Sequence, residues 1–395
     1  MIVVVGIGAD GWDGLGASAR RAVLGADEVI GSERQLALLP DDAPPRRRWP
    51  SPLQPLLDEL LARDCGTTCV LASGDPMLHG IGATLARRGA SLTVIPHPSA
   101  FALACARLAW PAADVDLVSA VARPADAVAA LLQPRRRIVA YVTGADGAAR
   151  IAAVLRDRGY GPSRLTVLEQ LGAAGERRVD ATADDYDAAA DPLHVVAIEC
   201  AAAAGTPLHQ RSPGLPDDAY EHDGQLTKRP VRAITLAALG PAPRALLWDV
   251  GAGSGSIGIE WLRAEPTARA IAVEPRDDRA DRVMRNATTL GVPHLELVRG
   301  EAPDALVGLE PPDAIFIGGG LTAPGVLDAC WDALAPAGRL VANAVTLESE
   351  QVAVAARERL GGDLVRIDIA HAAPIGGFTG WRPQMALVQW SVRKP

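Results

Sequence analysis

Along the first hundred residues, apolar runs of strand length alternate with longer segments of helical period. The runs fall near Ile2–Val5, Glu28–Ile30, Thr68–Leu71 and Leu92–Ile95. Strand, loop and helix repeating in this order predict a parallel sheet covered by helices. The rhythm continues with strands at Arg137–Val142, Arg164–Leu168 and His194–Glu199, and with helices at Ala125–Leu132 and Ala145–Arg158. Between Ala201 and Gln225 no period persists, and Ala, Gly, Pro and acidic residues dominate, as in an interdomain connection. Alternation then resumes, with strands at Ala268–Val273, Leu295–Arg299, Asp313–Ile317 and Arg339–Ala342 and a helix at Asp277–Leu290. The expected architecture is α/β throughout: one domain over 1–203, a linker over 204–225 and a second domain over 226–395.

Composition agrees with more than one domain, since 395 residues are too many for a single ordinary core. Apolar residues make up 49% of the chain and aromatics 4%, which favours Ala-rich helical layers over an all-β fold. A net charge of −8 argues against nucleic acid as a partner. It leaves room for an anionic small substrate, because local Arg clusters hold carboxylates even in an acidic protein. Arg46-Arg47-Arg48 and Arg135-Arg136-Arg137 are two such clusters, each either a solvated face or a carboxylate contact. Cys65, Cys69, Cys105, Cys200 and Cys330 form no C-x-x-C pair and read as buried thiols of a reducing compartment. The histidines lack metal-ligand spacing, so no metal site is expected. Met1 leads straight into an apolar strand, and no run approaches the roughly 18–20 apolar residues of a membrane span. The expectation is a cytoplasmic protein with no membrane partner.

Ala245–Leu262 carries the first chemical signal. An apolar strand turns through alternating glycines and runs on as an amphipathic helix. Gly permits a tight turn and close approach of a ligand, and the helix start offers free N–H groups. A dinucleotide fingerprint would place Gly at 256, where this chain has Ser256. The pattern Asp249-x-Gly251-x-Gly253-x-Gly255 is instead typical of S-adenosylmethionine (SAM) methyltransferases of the Rossmann-like class. Further strand ends supply matching residues. Glu274 lies about twenty residues past the glycines, where an acid accepts both ribose hydroxyls. Glu301-Ala302 falls where the adenine ring is usually met, and Gly318-Gly319-Gly320 and Asn343 close the later strands. The cofactor contacts expected in this domain are Thr227, Asp249, Gly251, Ala252, Gly253, Ser254, Gly255, Glu274, Glu301 and Ala302. The Gly318–Gly320 run leaves no side chain to orient an amine, so the acceptor is expected to be carbon in a bulky planar ligand. Thr227 can cap the next helix, with Pro230 in its first turn, and Lys228 and Arg232 are candidates to face substrate carboxylates.

The amino-terminal half carries three unusual loops: Gly6-Ile-Gly-Ala-Asp-Gly11, Ser73-Gly-Asp-Pro76 followed by Gly80-Ile-Gly82, and the turn Pro98-Ser-Ala-Phe101 before an Ala-rich helix. Together they resemble the tetrapyrrole (precorrin) methylase superfamily. That resemblance implies two α/β subdomains with SAM between them, contacted by Gly74, Asp75, Ser99 and Ala100, and the first glycine loop near the substrate groove. Ala9 stands where many relatives carry Pro, which weakens the expectation for that loop. The carboxy-terminal part, from Thr227-Lys-Arg-Pro-Val-Arg232 through the glycine turn to Asn343–Glu348, resembles the decarboxylating precorrin methyltransferases of cobalamin synthesis. A chain that fuses both classes is implied to methylate precorrin-6B at C5 with its first domain. The second would methylate C15 and remove CO2 from the ring C acetate, giving precorrin-8X. A polycarboxylate tetrapyrrole as partner and a homo-oligomeric state come with the resemblance.

Two rivals remain. An NAD(P)-dependent oxidoreductase would use the second domain alone, and a SAM-sensing first domain would leave a single active centre. Equilibrium binding separates them: NAD in place of SAM supports the first, and one SAM per chain supports the second.

Overall fold

The computed structural model describes residues 1–62 and 66–395, so Cys65 lies outside the described residues. Two compact units emerge, one of residues 1–128 with 134–206 and one of 129–133 with 207–395. The first unit contains two sheets. In the first sheet β1 (Ile2–Ile7), β2 (Glu28–Gly31), β3 (Arg46–Arg48), β4 (Thr68–Ser73) and β5 (Leu92–Ile95) run parallel in the order β3-β2-β4-β1-β5. Val3, Val5, Ile7, Val29 and Leu71 face one layer of helices, while Val4, Ile30, Val70 and Ala72 face the other. Burial on both faces explains why these strands read as continuous apolar runs and not as alternating ones.

The second sheet holds β6 (Val115–Ser119), β7 (Arg137–Tyr141), β8 (Arg164–Glu169), β9 (Arg177–Thr182) and β10 (His194–Glu199), in the order β6-β7-β10-β8-β9. Only the β6–β7 pair is parallel. Sequence periodicity missed β3, β6 and β9. β3 and β9 are edge strands whose residues are largely solvent-facing, so they lack the apolar run that marks a buried strand. Arg46–Arg48 is one of these edge strands.

The second unit is built on β11 (Leu246–Val250), β12 (Arg269–Glu274), β13 (Glu296–Arg299), β14 (Ala314–Ile317) and β15 (Arg339–Ala344), all parallel. β16 (Asp363–Ile367) and β19 (Leu387–Arg393) extend the sheet antiparallel, in the order β13-β12-β11-β14-β15-β19-β16. Between them β17 (Ala370–Ile375) and β18 (Phe378–Pro383) form a separate hairpin. The two faces of β11 fill two cores, Leu247 with Phe316 and Trp261 on one side and Trp248 with Ile315 and Trp390 on the other. Cys69, Cys105, Cys200 and Cys330 are buried, and none of them is in a disulfide among the described residues. Among the described residues no helix is long and apolar enough to cross a membrane, and no group of His, Cys, Asp and Glu could hold a metal ion.

The linker expected over 204–225 is only partly a linker. Leu215 and Tyr220 belong to the core of the second unit. Buried Glu260, on the helix Ser256–Ala264, explains why. Its carboxylate accepts from Gly214 N (2.5 Å), Leu215 N (3.0 Å), the Tyr220 hydroxyl (2.8 Å) and Arg232 Nε (2.6 Å). Arg232 in turn donates to the carbonyls of Leu215 and Thr227 and to Asp217. No sequence period reports such a polar knot, which is why this stretch looked unstructured. Removing one partner of a buried ion pair strands the other charge and costs about 3–5 kcal/mol. Glu260→Ala is expected to lower the denaturant midpoint of the second unit accordingly; an unchanged midpoint would show that the pair does not hold the connector.

Candidate functional sites

At the carboxyl end of β11 the chain turns through Gly251, Gly253 and Gly255, all at left-handed φ of 71°, 62° and 77°. Gly251 has a further reason to be glycine. A Cβ there would stand 2.7 Å from Gly319 N and 2.8 Å from its Cα, so the turn after β11 and the turn after β14 touch through backbone alone. Gly251 N and Ala252 N donate to Val273 O at 3.0 and 3.1 Å, and Gly253 N donates to Glu274 Oε2 at 2.8 Å. The turn is thereby stitched to the end of β12. Above Gly253, the nearest neighbour to an added Cβ is Gln225 O at 3.5 Å, which leaves space over the turn.

Glu274 is buried, yet among the described residues its carboxylate accepts only from Gly253 N and, at 3.2 Å, from Arg276 N. Acceptor capacity remains for hydroxyl donors. Gly300 N bonds Glu274 O, which brings the loop bearing Glu301 and Ala302 alongside. The Ser254 hydroxyl is buried and has no hydrogen-bond partner among the described residues, an unsatisfied donor inside the turn. Asp249 acts from beneath. It is buried and accepts from Gly258 N at 2.9 Å, bracing the strand against the helix that follows. Burial pushes its carboxyl up to about 7, with nearby Glu274 adding to the rise and the Gly258 bond opposing it.

Around this turn the structure corrects two expectations. Arg232 is fully buried, with its guanidinium committed to Glu260, Asp217 and two carbonyls, so it does not face a substrate carboxylate. Thr227 does not cap the helix Arg229–Leu239; Lys228 occupies the cap position without a side-chain bond, and Thr227 contributes its carbonyl to Arg232. Pro230 lies in the first turn as expected. Lys228 is partly exposed and makes no ion pair among the described residues. Sequence reasoning also missed a polar cluster behind β15. Gln389 donates to Asn343 and Thr235, and Asn343 donates to Thr235, at 2.9–3.0 Å. Its members lie up to 154 positions apart in the chain, beyond the reach of any local pattern.

In the first unit, the carboxyl ends of β1, β4 and β5 converge in the same backbone-to-backbone manner. A Cβ on Gly6 would lie 2.1 Å from Gly74 O, and one on Gly74 would lie 3.1 Å from Ser99 Cα. Gly74 N donates to Ile7 O at 3.0 Å. Ser99 caps the helix Ala100–Leu108 by accepting from Ala102 N at 3.0 Å. Asp75 accepts from Met77 N at 2.8 Å, so one carboxylate oxygen shapes its own loop. Gly74, Asp75, Ser99 and Ala100 are thus brought together. A pair not singled out from sequence joins them: Asp10 Oδ2 meets His97 Nε2 at 3.1 Å, and Asp10 Oδ1 is buried without a partner. Asp10 lies in the first glycine loop and His97 precedes the Pro98–Phe101 turn, so the contact spans 87 positions. Of the arginine runs, Arg136 pairs with Asp116 and Arg137 covers the Trp110 ring, which makes 135–137 a strand entrance held by local partners.

Comparison with known proteins agrees with both halves. Residues 1–187 match the tetrapyrrole (corrin/porphyrin) methylases and residues 218–394 match the precorrin methyltransferase domain. A precorrin-6Y C(5,15)-methyltransferase [decarboxylating] from Sinorhizobium sp is 49% identical, over all of this chain and 96% of that protein. Another of that name from Mycobacterium tuberculosis is 46% identical over the whole of both chains. A probable cobalt-precorrin-6B C(15)-methyltransferase (decarboxylating) from Pyrobaculum calidifontis is 36% identical over 42% of this chain and 89% of its own. Two glycine-built strand-end sites in one chain, each matched by its own methylase class, have full-length counterparts in these proteins, and the chain belongs to the family of precorrin-6Y C(5,15)-methyltransferases (decarboxylating).

Proposed function

We propose that this protein methylates precorrin-6B at C5 and C15 with SAM and decarboxylates the ring C acetate, giving precorrin-8X in cobalamin biosynthesis. The observation that carries the reading is the full-length similarity to two-domain relatives of that name, joined to two separate glycine-lined strand-end sites in this chain. The first domain, over 1–203, takes C5. The second, over 226–395, takes C15 and the decarboxylation; its similarity to a stand-alone enzyme named for C15 supports this division.

SAM, when bound, supplies an electrophilic methyl group on a sulfonium, so the protein's work is alignment and exclusion of water. In the second domain the open glycine turn and the unpartnered Ser254 hydroxyl fit such a ligand. Gly251, Ala252, Gly253, Ser254 and Gly255 would cradle it, Glu274 would accept its ribose hydroxyls, and Glu301-Ala302 and Thr227 would complete the site. Gly74, Asp75, Ser99 and Ala100 would hold it in the first domain. Lys228 would anchor a substrate carboxylate, a role that passes to it alone now that Arg232 is committed elsewhere. The conjugated macrocycle serves as the electron sink for loss of CO2.

Mass spectrometry of the product from precorrin-6B and SAM tests the whole: two added methyl groups with loss of CO2 are expected. Glu274→Ala is expected to abolish C15 methylation and spare C5; retention of both would refute the division of labour. Asp249 generates a pH prediction. Its folded carboxyl titrates near 7, above the ordinary value of about 3.9, so the folded state holds the extra proton between those limits. Stability from this group is therefore lost as pH rises through that window. Asp249→Asn does not titrate, so its thermal midpoint relative to the native protein should improve between pH 5 and pH 8; a pH-independent difference would contradict the raised carboxyl.

A further inference from the structure

The first sheet ends beside a cation that has no carboxylate partner among the described residues. Arg34 stands on the short helix Glu33–Ala37, which Ser32 and Gln35 lock at its start through reciprocal bonds. Its Nη2 donates to Ser73 Oγ at 3.2 Å, and among the described residues it has no carboxylate partner. Gln35 Nε2 donates to the same hydroxyl at 3.1 Å, and Gln35 is buried, so the hydroxyl is fixed from two sides. Ser73 is the last residue of β4 and immediately precedes Gly74-Asp75. Arg34 therefore stands where β2 and β4 end, on the edge of a parallel sheet at which ligands bind.

Several other arginines of this unit are paired with acids. Arg47 forks onto Glu59, Arg107 onto Glu176 and Arg177 onto Glu169. Arg34 is partly buried, and that burial pulls its pKa down from the ordinary guanidinium value with no acid to restore it. A charge taken from water without a counter-ion costs free energy unless a ligand supplies one. Two further cations, Arg87 and Arg123, lie near the loop after β4. His79 there is held below the usual imidazole range by desolvation first and by Arg123 and Arg87 next.

We infer that Arg34, steadied by Ser73, binds a side-chain carboxylate of the tetrapyrrole in the amino-terminal unit. The inference rests on the reading that this unit methylates a polycarboxylate corrin precursor. A guanidinium with one Nη2 hydrogen on Ser73 keeps the other, which together with Nε or Nη1 forms the fork that grips both oxygens of one carboxylate and that a lysine cannot reproduce. Fixing one peripheral acid of a planar macrocycle beside β4 limits which bridge carbon can be presented to the methyl donor. Arg34 is on this account a specificity residue for C5.

The test uses the full chain. Arg34→Ala is expected to raise the KM for precorrin-6B in C5 methylation about tenfold or more, the usual weight of a charge-assisted bond. The KM for SAM and C15 methylation should stay at native values, and Arg34→Lys should recover part of the loss. A second arm is independent of activity. Uroporphyrin I, titrated by its fluorescence, should bind Arg34→Ala about tenfold more weakly than the native protein, and its octamethyl ester should not distinguish the two. Arg34→Gln, which keeps a donor for Ser73 but no charge, serves if the alanine variant does not fold. Unchanged KM and unchanged porphyrin affinity would overturn the inference, as would an equal loss at C5 and C15. If the native protein adds no methyl at C5, the reading of the unit fails while the porphyrin arm still decides the carboxylate site.

Discussion

The second unit depends on a place where two backbones touch. The turn after β11 and the turn after β14 meet at Gly251 and Gly319, and no side chain can be inserted at 251 without pushing one strand end away from the other. The touching turns leave a shallow floor of peptide groups, and the neighbouring elements are arranged around that floor. Val273 O and the Glu274 carboxylate tie the turn to β12, and Asp249 ties it to the helix that follows. The conformational cost of three alternating left-handed glycines is offset by access, since a ligand can approach main-chain atoms that side chains elsewhere would cover.

A buried charge sets the limit of the same unit. Glu260 cannot be left in the core unpaired, so Arg232 and the backbone of 214–215 come to it, and Tyr220 follows with its hydroxyl. Desolvation by this environment, with Glu260 beside it, raises the Tyr220 phenol well above its ordinary range. The connector is ordered by this electrostatic requirement at least as much as by Leu215 and Tyr220 packing. One consequence is chemical: an arginine that looks from sequence like a substrate ligand is consumed by architecture, and the lysine four residues before it is left partly exposed.

The first unit solves a similar geometric problem with different parts. Gly6, Gly74 and Ser99 approach through backbone, and the Asp10–His97 pair clamps the loops after β1 and β5 to each other. The second sheet packs close by, and Tyr141 at the end of β7 accepts from Phe101 N at 3.0 Å, with its phenol raised chiefly by burial. Arg34 completes this edge with a charge that has no carboxylate partner among the described residues.

Local patterns in the chain were enough to define the α/β class, the strands buried on both faces, the glycine turns and the acid at 274. Each of these is enforced over a few residues, by apolar runs, by the steric need for glycine or by a fixed distance from a turn. Residue order alone said nothing of the edge strands β3 and β9 or of the hairpin β17–β18, because solvent-facing strands need no apolar period. It also could not assign partners. Whether Arg232 meets a substrate or Glu260, whether Asp10 meets His97, and whether Gln389 meets Asn343 depend on contacts between residues 28, 87 and 46 positions apart. Charge and hydrogen-bond partners are chosen in three dimensions, where burial makes an unpaired group costly. The tertiary structure alone decided that Arg232 is spent on the fold and that Arg34 meets a hydroxyl in place of an acid.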